Sequence, residues 1–147
     1  GITRVIVRPP AILGAGESSI WNTLRPADMR TSEEERTTLP EGSWAWVHVD
    51  DLAALTADVA VGQISAGTDP EAGPVDGGWT AVNVAGGPAK QRDYYETVTG
   101  ALGVEPVWKD GGAWTGRILS NRAQAWGWTP KVELPEALAE IDAGLRS

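Results

Sequence analysis

Short apolar runs rich in β-branched residues alternate along this chain with segments whose apolar positions recur at helical spacing. Thr3–Arg8 contains the continuous run Val5-Ile6-Val7, which predicts a strand buried on both faces of a parallel sheet. The run stops at Pro9-Pro10 and enters a glycine loop. Ser18 or Ser19 is placed to cap a short helix through Leu24, which Pro26 should end. Thr31–Ser43 carries Glu33-Glu34-Glu35, Pro40 and Gly42 and reads as a solvated loop or a short helix with a turn. Trp44–Val49 is the next strand. It runs into a helix capped by Asp50 or Asp51, with Leu52, Leu55, Thr56 and Val59 as its apolar face. Gly67–Gly78, rich in glycine and proline, is the segment whose composition points most to mobility. Trp79–Val84 is a third strand, Lys90–Leu102 a helix stopped by Gly103, and Val104–Trp108 a fourth short strand. Ser120–Trp126 forms a short helix stopped by Gly127. Pro135 opens the last helix, which places Leu138, Ile141 and Leu145 on one face.

Strands separated by helices predict an α/β arrangement rather than a bundle or a sandwich. The alternation is incomplete, and Thr3–Arg8 calls for sheet neighbours on both sides. A missing portion is therefore expected on physical grounds. A hydrophobic content of 41% with eight tryptophans is too rich for a disordered chain. The formal net charge of −8 disfavours nucleic acid and anionic membrane surfaces, both of which require a basic patch. No apolar run approaches bilayer-spanning length. The absence of cysteine rules out disulfides, zinc thiolates and thiol catalysis, and is compatible with the reducing cytoplasm where the protein is expected.

Most candidate chemistry can be set aside on residue type and spacing. Gly14-Ala15-Gly16-Glu17-Ser18-Ser19 half-fits a Gly-x-Gly-x-x-Gly phosphate loop. Its third glycine is Ser19, however, and two prolines interrupt the approach, so a turn is the better reading. His48 is the only histidine, and no Gly-x-Ser-x-Gly elbow exists for a hydrolase triad. A metal site would have to combine His48 with Asp50 and Asp51. A packed strand histidine beside a helix cap is the simpler account, so no metal ligand is assigned. Neither Tyr94 nor Tyr95 has a lysine four residues on, and no residue is assigned a catalytic role.

Four segments in order carry a resemblance: Arg8-Pro9-Pro10-Ala11-Ile12-Leu13-Gly14, Val47-His48-Val49-Asp50-Asp51-Leu52-Ala53, Val82-Asn83-Val84-Ala85-Gly86-Gly87, and Trp126-Gly127-Trp128-Thr129-Pro130-Lys131-Val132. Together they resemble the C-terminal half of the extended short-chain dehydrogenase/reductases, the NAD(P)-dependent epimerases, dehydratases and reductases. The resemblance implies that residues 1–147 form the C-terminal part of a Rossmann-like doubly wound parallel sheet plus the small mixed α/β substrate-binding lobe. The family's glycine-rich cofactor loop and Tyr-x-x-x-Lys pair would precede Gly1. NAD or NADP would be held mostly by that half. From this chain, Pro9, Pro10 and Ile12 would face the nicotinamide, and Trp21, Asn22, Arg25, Trp44 and Trp46 would line the substrate pocket. Trp21 alone would more often be a core residue, and Asn22 with Arg25 could equally be a solvated face.

The resemblance leaves three functions open. The chain could be the substrate-binding half of an epimerase, dehydratase or carbonyl reductase, a non-catalytic dinucleotide or ligand sensor of the same fold, or an interaction domain with a sticky sheet edge. The first is the expectation. Its partners would be an N-terminal half or complementary chain, with a homo-oligomer possible through the exposed edge. One departure bears on substrate. Where the family's sugar-nucleotide epimerases place a pyrophosphate-gripping arginine, this chain has Trp44. Arg25, Lys109 and Arg117 lie off the matching motif. An uncharged carbonyl compound is therefore expected in preference to a nucleotide sugar.

Overall fold

The chain changes partners along each extended run, and this organises the molecule. In a computed structural model that describes residues 1–17 and 19–147, β1 (Arg4–Arg8) pairs in parallel with β6 (Trp79–Asn83). At Pro9-Pro10 the chain leaves that ladder, and β2 (Ala11–Leu13) pairs in parallel with β5 (Trp46–His48). Proline lacks the N–H that would continue one ladder, so the run divides there. A third parallel pair joins β3 (Thr37–Thr38) to β8 (Val107–Trp108), and β4 (Ser43–Trp44) meets β7 (Ala89–Lys90) antiparallel. The helices are α1 (Leu24–Thr31), α2 (Val49–Ala60), α3 (Gln91–Leu102), α4 (Asn121–Ala125) and α5 (Leu134–Arg146). The architecture is α/β with parallel strand pairs, as the pattern predicts.

Strand β5 is the partition between two cores. Trp46 points into a cluster with Leu13, Met29, Tyr94, Val98 and Ile141, covered by α1, α3 and α5. Val47 points to the opposite side, into a cluster with Leu55, Val82, Val84, Trp126 and Trp128, covered by α2 and α4. The pleat's period of two puts neighbouring residues into different cores. The predicted faces of α2 and α5 are largely seen. Leu52, Leu55 and Val59 pack inward on α2, while Thr56 is exposed. Leu138, Ile141 and Leu145 pack on α5. Gly103 ends α3 in the left-handed region at φ +70°, with the Val104 N–H returning to the Thr99 carbonyl.

Several expectations are corrected. Burial on both faces belongs to β2–β5, whereas β1 alternates, and Ile6 is 45% exposed. Among the described residues β1 pairs only with β6, so its other edge is free. Pro26 does not end a helix at Leu24 but lies in the first turn of α1, where its missing N–H would have no intrahelical partner anyway. Ser19 lies in the turns before that helix, and Ser18 falls outside the described residues. The predicted strand Trp44–Val49 is split at Ala45, because β4 pairs with β7 and β5 with β2. Thr31–Ser43 contains strand β3, and Val104–Trp108 shortens to Val107–Trp108.

The cap of α2 is neither aspartate. His48 occupies the N-cap, and its Nδ1 accepts the Asp50 N–H at 3.1 Å. Asp51 is buried instead and receives the backbone N–H groups of Lys131 and Val132 at 3.0 Å. The Trp128 indole donates to the Asp51 carbonyl at 2.9 Å, so the segment before α5 is fastened to the start of α2. The Gly67–Gly78 loop, expected to be mobile, is tied down at several points. The Trp126 indole donates to the Pro70 carbonyl at 2.9 Å, and Arg122 binds Glu71 at 2.7 Å.

Candidate functional site

The carboxyl ends of β1 and β6 lie side by side, with the Val84 N–H donating to the Arg8 carbonyl at 3.2 Å. Pro9-Pro10 and Ala85-Gly86-Gly87 therefore leave the sheet together. That is the end of an open parallel sheet where ligands are received. Gly86 sits against Trp46. Its N–H donates to the Trp46 carbonyl at 2.6 Å, and a Cβ there would lie 3.3 Å from the indole. Ser120 fixes the opposite wall, its Oγ accepting the Ala85 N–H at 2.8 Å and donating to the Ala85 carbonyl.

Between these walls is a cavity of about 240 Å³, lined by Trp44, the Ala85–Ala89 loop, and the segment from Trp114 to Asn121 with Gln124. The Ser43 N–H donates to the Trp114 carbonyl at 2.7 Å and pins that segment beside β4. The Trp114 ring folds over Gly116, so that a Cβ there would come within 2.8 Å of it and push the ring aside. Arg117 is the one charged residue in the lining.

The residues predicted for the substrate pocket fall into two groups. Trp21, Trp44 and Tyr94 form an aromatic cluster, with Trp21 edge-on to Trp44 at 5.4 Å and Tyr94 tilted against Trp44 at 4.8 Å. Arg25 lies over the Trp21 ring at 5.7 Å and is paired with Glu35 at 2.7 Å, so its charge is already engaged. The buried Asn22 donates its amide to the Gly14 carbonyl. Trp21 and Tyr94 pack against Trp44, and of the five only Trp44 lines the cavity. Trp46 is 1% exposed and lies beneath Gly86. Of the predicted cofactor-facing residues, Pro9 is exposed, Pro10 is half-buried, and Ile12 packs against the second core. Trp114, Ser120, Asn121 and Gln124 carried no signal in the sequence. Trp114 and Ser120 lie in a segment irregular from residue 109 to 120, Asn121 and Gln124 on α4, and only tertiary contacts bring them to Trp44.

Burial pushes the Tyr94 hydroxyl well above the ordinary tyrosine range, against a smaller lowering by Arg25. The hydroxyl donates to the Trp21 carbonyl at 2.5 Å, holding α3 to the aromatic cluster. Because the folded value lies above the unfolded value of about 10, the linked stability is complete below that pH. It drains away as pH rises further, toward the folded value. Alkaline titration followed by tyrosinate absorbance is expected to show Tyr94 ionising only as the fold is lost. Among the described residues no cluster of three or more metal-ligating side chains exists.

No protein-family model and no curated protein sequence matches the chain. Solved structures do. UDP-glucose 4-epimerase from Thermotoga maritima, solved with UDP-glucose, is similar at 21% identity over 99% of this chain, with a TM-score of 0.63. UDP-glucuronic acid 4-epimerase from Bacillus cereus, in complex with NAD, is similar at 16% identity over 99% of this chain, with a TM-score of 0.62. UDP-glucose 4-epimerase from Thermus thermophilus, also in complex with NAD, is similar at 18% identity over the whole chain, with a TM-score of 0.59. This chain spans 47%, 45% and 48% of those three chains in turn, about half of each. At such identities the likeness is one of fold: the chain folds as about half of a Rossmann-like epimerase.

Proposed function

We propose that this chain is the C-terminal, substrate-binding half of an NAD(P)-dependent epimerase, dehydratase or carbonyl reductase. The observation that carries the reading is the cavity beneath Trp44, at the carboxyl ends of β1 and β6 in a fold shared with half of such epimerases. Trp44 and Trp114 supply apolar walls, Asn121 and Gln124 supply amide donors and acceptors, and Pro9-Pro10 lies at the neighbouring strand end. In this reading Pro9, Pro10 and Ile12 shape the nicotinamide side through backbone and contour, while Trp21 packs on Trp44, Arg25 lies over Trp21, and Asn22 ties their segment to the Gly14 carbonyl. Trp46 sets the cavity floor through Gly86. The substrate is a small carbonyl compound rather than a nucleotide sugar, since tryptophan at position 44 cannot neutralise a diphosphate.

The cofactor, NAD or NADP, supplies hydride transfer, and its phosphates require a glycine-rich helix start that these residues do not form. The partner is an N-terminal half presented to the free edge of β1. Beside that edge lies an apolar groove of about 510 Å³, lined by Val5, Val7, Val59 and Ile64, in position to receive side chains of an added strand. Without that half the same edge is expected to drive self-association.

Calorimetric titration of NADH into the isolated chain and into the product of the complete coding sequence tests the proposal. The isolated chain is expected to show no saturable binding and no turnover, and the complete product micromolar binding. Saturable micromolar binding by the isolated chain, or none by the complete product, overturns it.

A further inference from the structure

Resting on that reading of the cavity, we infer that its ligand carries one carboxylate, received by Arg117. The chain has a formal net charge of −8, yet among the described residues no aspartate or glutamate lines this cavity, and its one charged residue is a cation. Arg25, Arg92, Arg122 and Arg146 are paired with carboxylates, and of the arginines that are not, Arg117 is the one that lines this cavity. Arg117 has no carboxylate within ion-pair distance among the described residues. A guanidinium without a counter-charge in an otherwise neutral pocket draws an anion into that pocket.

The chemistry of the anion follows from the lining. A guanidinium matches the two oxygens of a carboxylate with two parallel hydrogen bonds. A diphosphate presents more charge than a single arginine balances, and the 240 Å³ available lies below the ~300–1,000 Å³ usual for pockets enclosing drug-sized ligands. Trp44 and Trp114 are the aromatic residues of the lining, and indoles favour a flat, apolar partner. The ligand is thus a planar aromatic or unsaturated carbonyl compound with a single carboxylate. This departs from the uncharged compound expected from Trp44 alone, replacing it with a singly charged one, because the fold brings Arg117 into the cavity that Trp44 walls.

The test uses the chain itself, with para-carboxybenzaldehyde, its methyl ester and UDP as probes, followed by shifts of the tryptophan indole N–H resonances. The acid is expected to bind on the order of tenfold more tightly than the ester, the ratio one charge-assisted contact supplies. Arg117 is exposed, so Arg117→Gln leaves the fold intact, and it is expected to remove the difference between acid and ester. Trp114→Ala is expected to weaken both. Equal binding of acid and ester, an unchanged preference in Arg117→Gln, tighter binding of UDP than of the acid, or no binding of the acid at millimolar concentration overturns the inference. Success here with no NADH binding by the complete protein would leave the cavity's charge preference standing and remove the oxidoreductase reading. The reverse pattern would remove Arg117 alone.

Discussion

Replacing Asp51 by alanine is expected to destabilise the fold by about 2–4 kcal/mol, while the same change at Asp50 stays within about 0.5 kcal/mol. The Asp51 carboxylate takes two backbone N–H groups at 3.0 Å, those of Lys131 and Val132, in a buried position. Hydrogen bonds to a charged acceptor contribute about 1.5–3 kcal/mol each, and water reaching the half-buried donors recovers part of the loss. Asp50 is exposed, and its carboxylate meets only the neighbouring His48 ring at 3.7 Å. For a chain of this size the Asp51 variant's melting temperature should fall by roughly 6–12 °C. Asp51→Asn keeps one acceptor oxygen and is expected to lose less. Thermal unfolding followed by circular dichroism distinguishes the three variants. Equal melting temperatures for the alanine variants at 50 and 51 would mean that the fastening of the α5 approach to α2 contributes nothing.

Trp46→Ala is expected to cost about 3–5 kcal/mol, the range for removing a large buried aromatic. The ring is enclosed by the first core, and Gly86 rests on it, so its loss also releases the cavity floor. Trp46→Phe should cost far less. It gives up some volume, but it also removes an indole N–H that finds no acceptor among the described residues. Trp114→Ala should leave stability nearly unchanged, because that ring is 58% exposed. Urea unfolding of the three variants separates these roles. A Trp114→Ala loss as large as that of Trp46→Ala would place Trp114 in the framework rather than at the ligand.

The exposed face of β1 and β6, with Ile2, Ile6 and Trp79, fits the proposed N-terminal partner. That face is mixed, with Arg4, Arg8 and Asn83 beside Ile6 and Trp79, and it ends at a free edge that another strand could join. Arg4 and Arg8 share this face with Ile6, which stays 45% exposed between them.

The residue pattern by itself determined the α/β class, the stops at Gly103 and Gly127, the apolar face of α5, and a strand-to-helix corner near Asp50, though not that His48 caps it. Each follows from local rules: periodicity, the left-handed preference of glycine, and proline's missing N–H. The pattern misplaced what depends on partners. Whether Val5-Ile6-Val7 or Ala11-Ile12-Leu13 is buried on both faces depends on which strands flank it, and a run of apolar residues looks the same in either place. Pro26 could end one helix or open the next, and only the turn at Ser19–Thr23 decides. Asp50 and Asp51 differ by one position in sequence and about 100° around the helix, which sends one to solvent and the other to the backbone of Lys131 and Val132. The cavity was the least legible feature. Its far wall, Trp114 to Ser120, lies in an irregular segment distant in sequence from Trp44, joined by the Ser43–Trp114 and Ser120–Ala85 hydrogen bonds. Contacts between segments that share no local periodicity leave no trace in the pattern of either, so only the tertiary structure could bring Arg117 to Trp44.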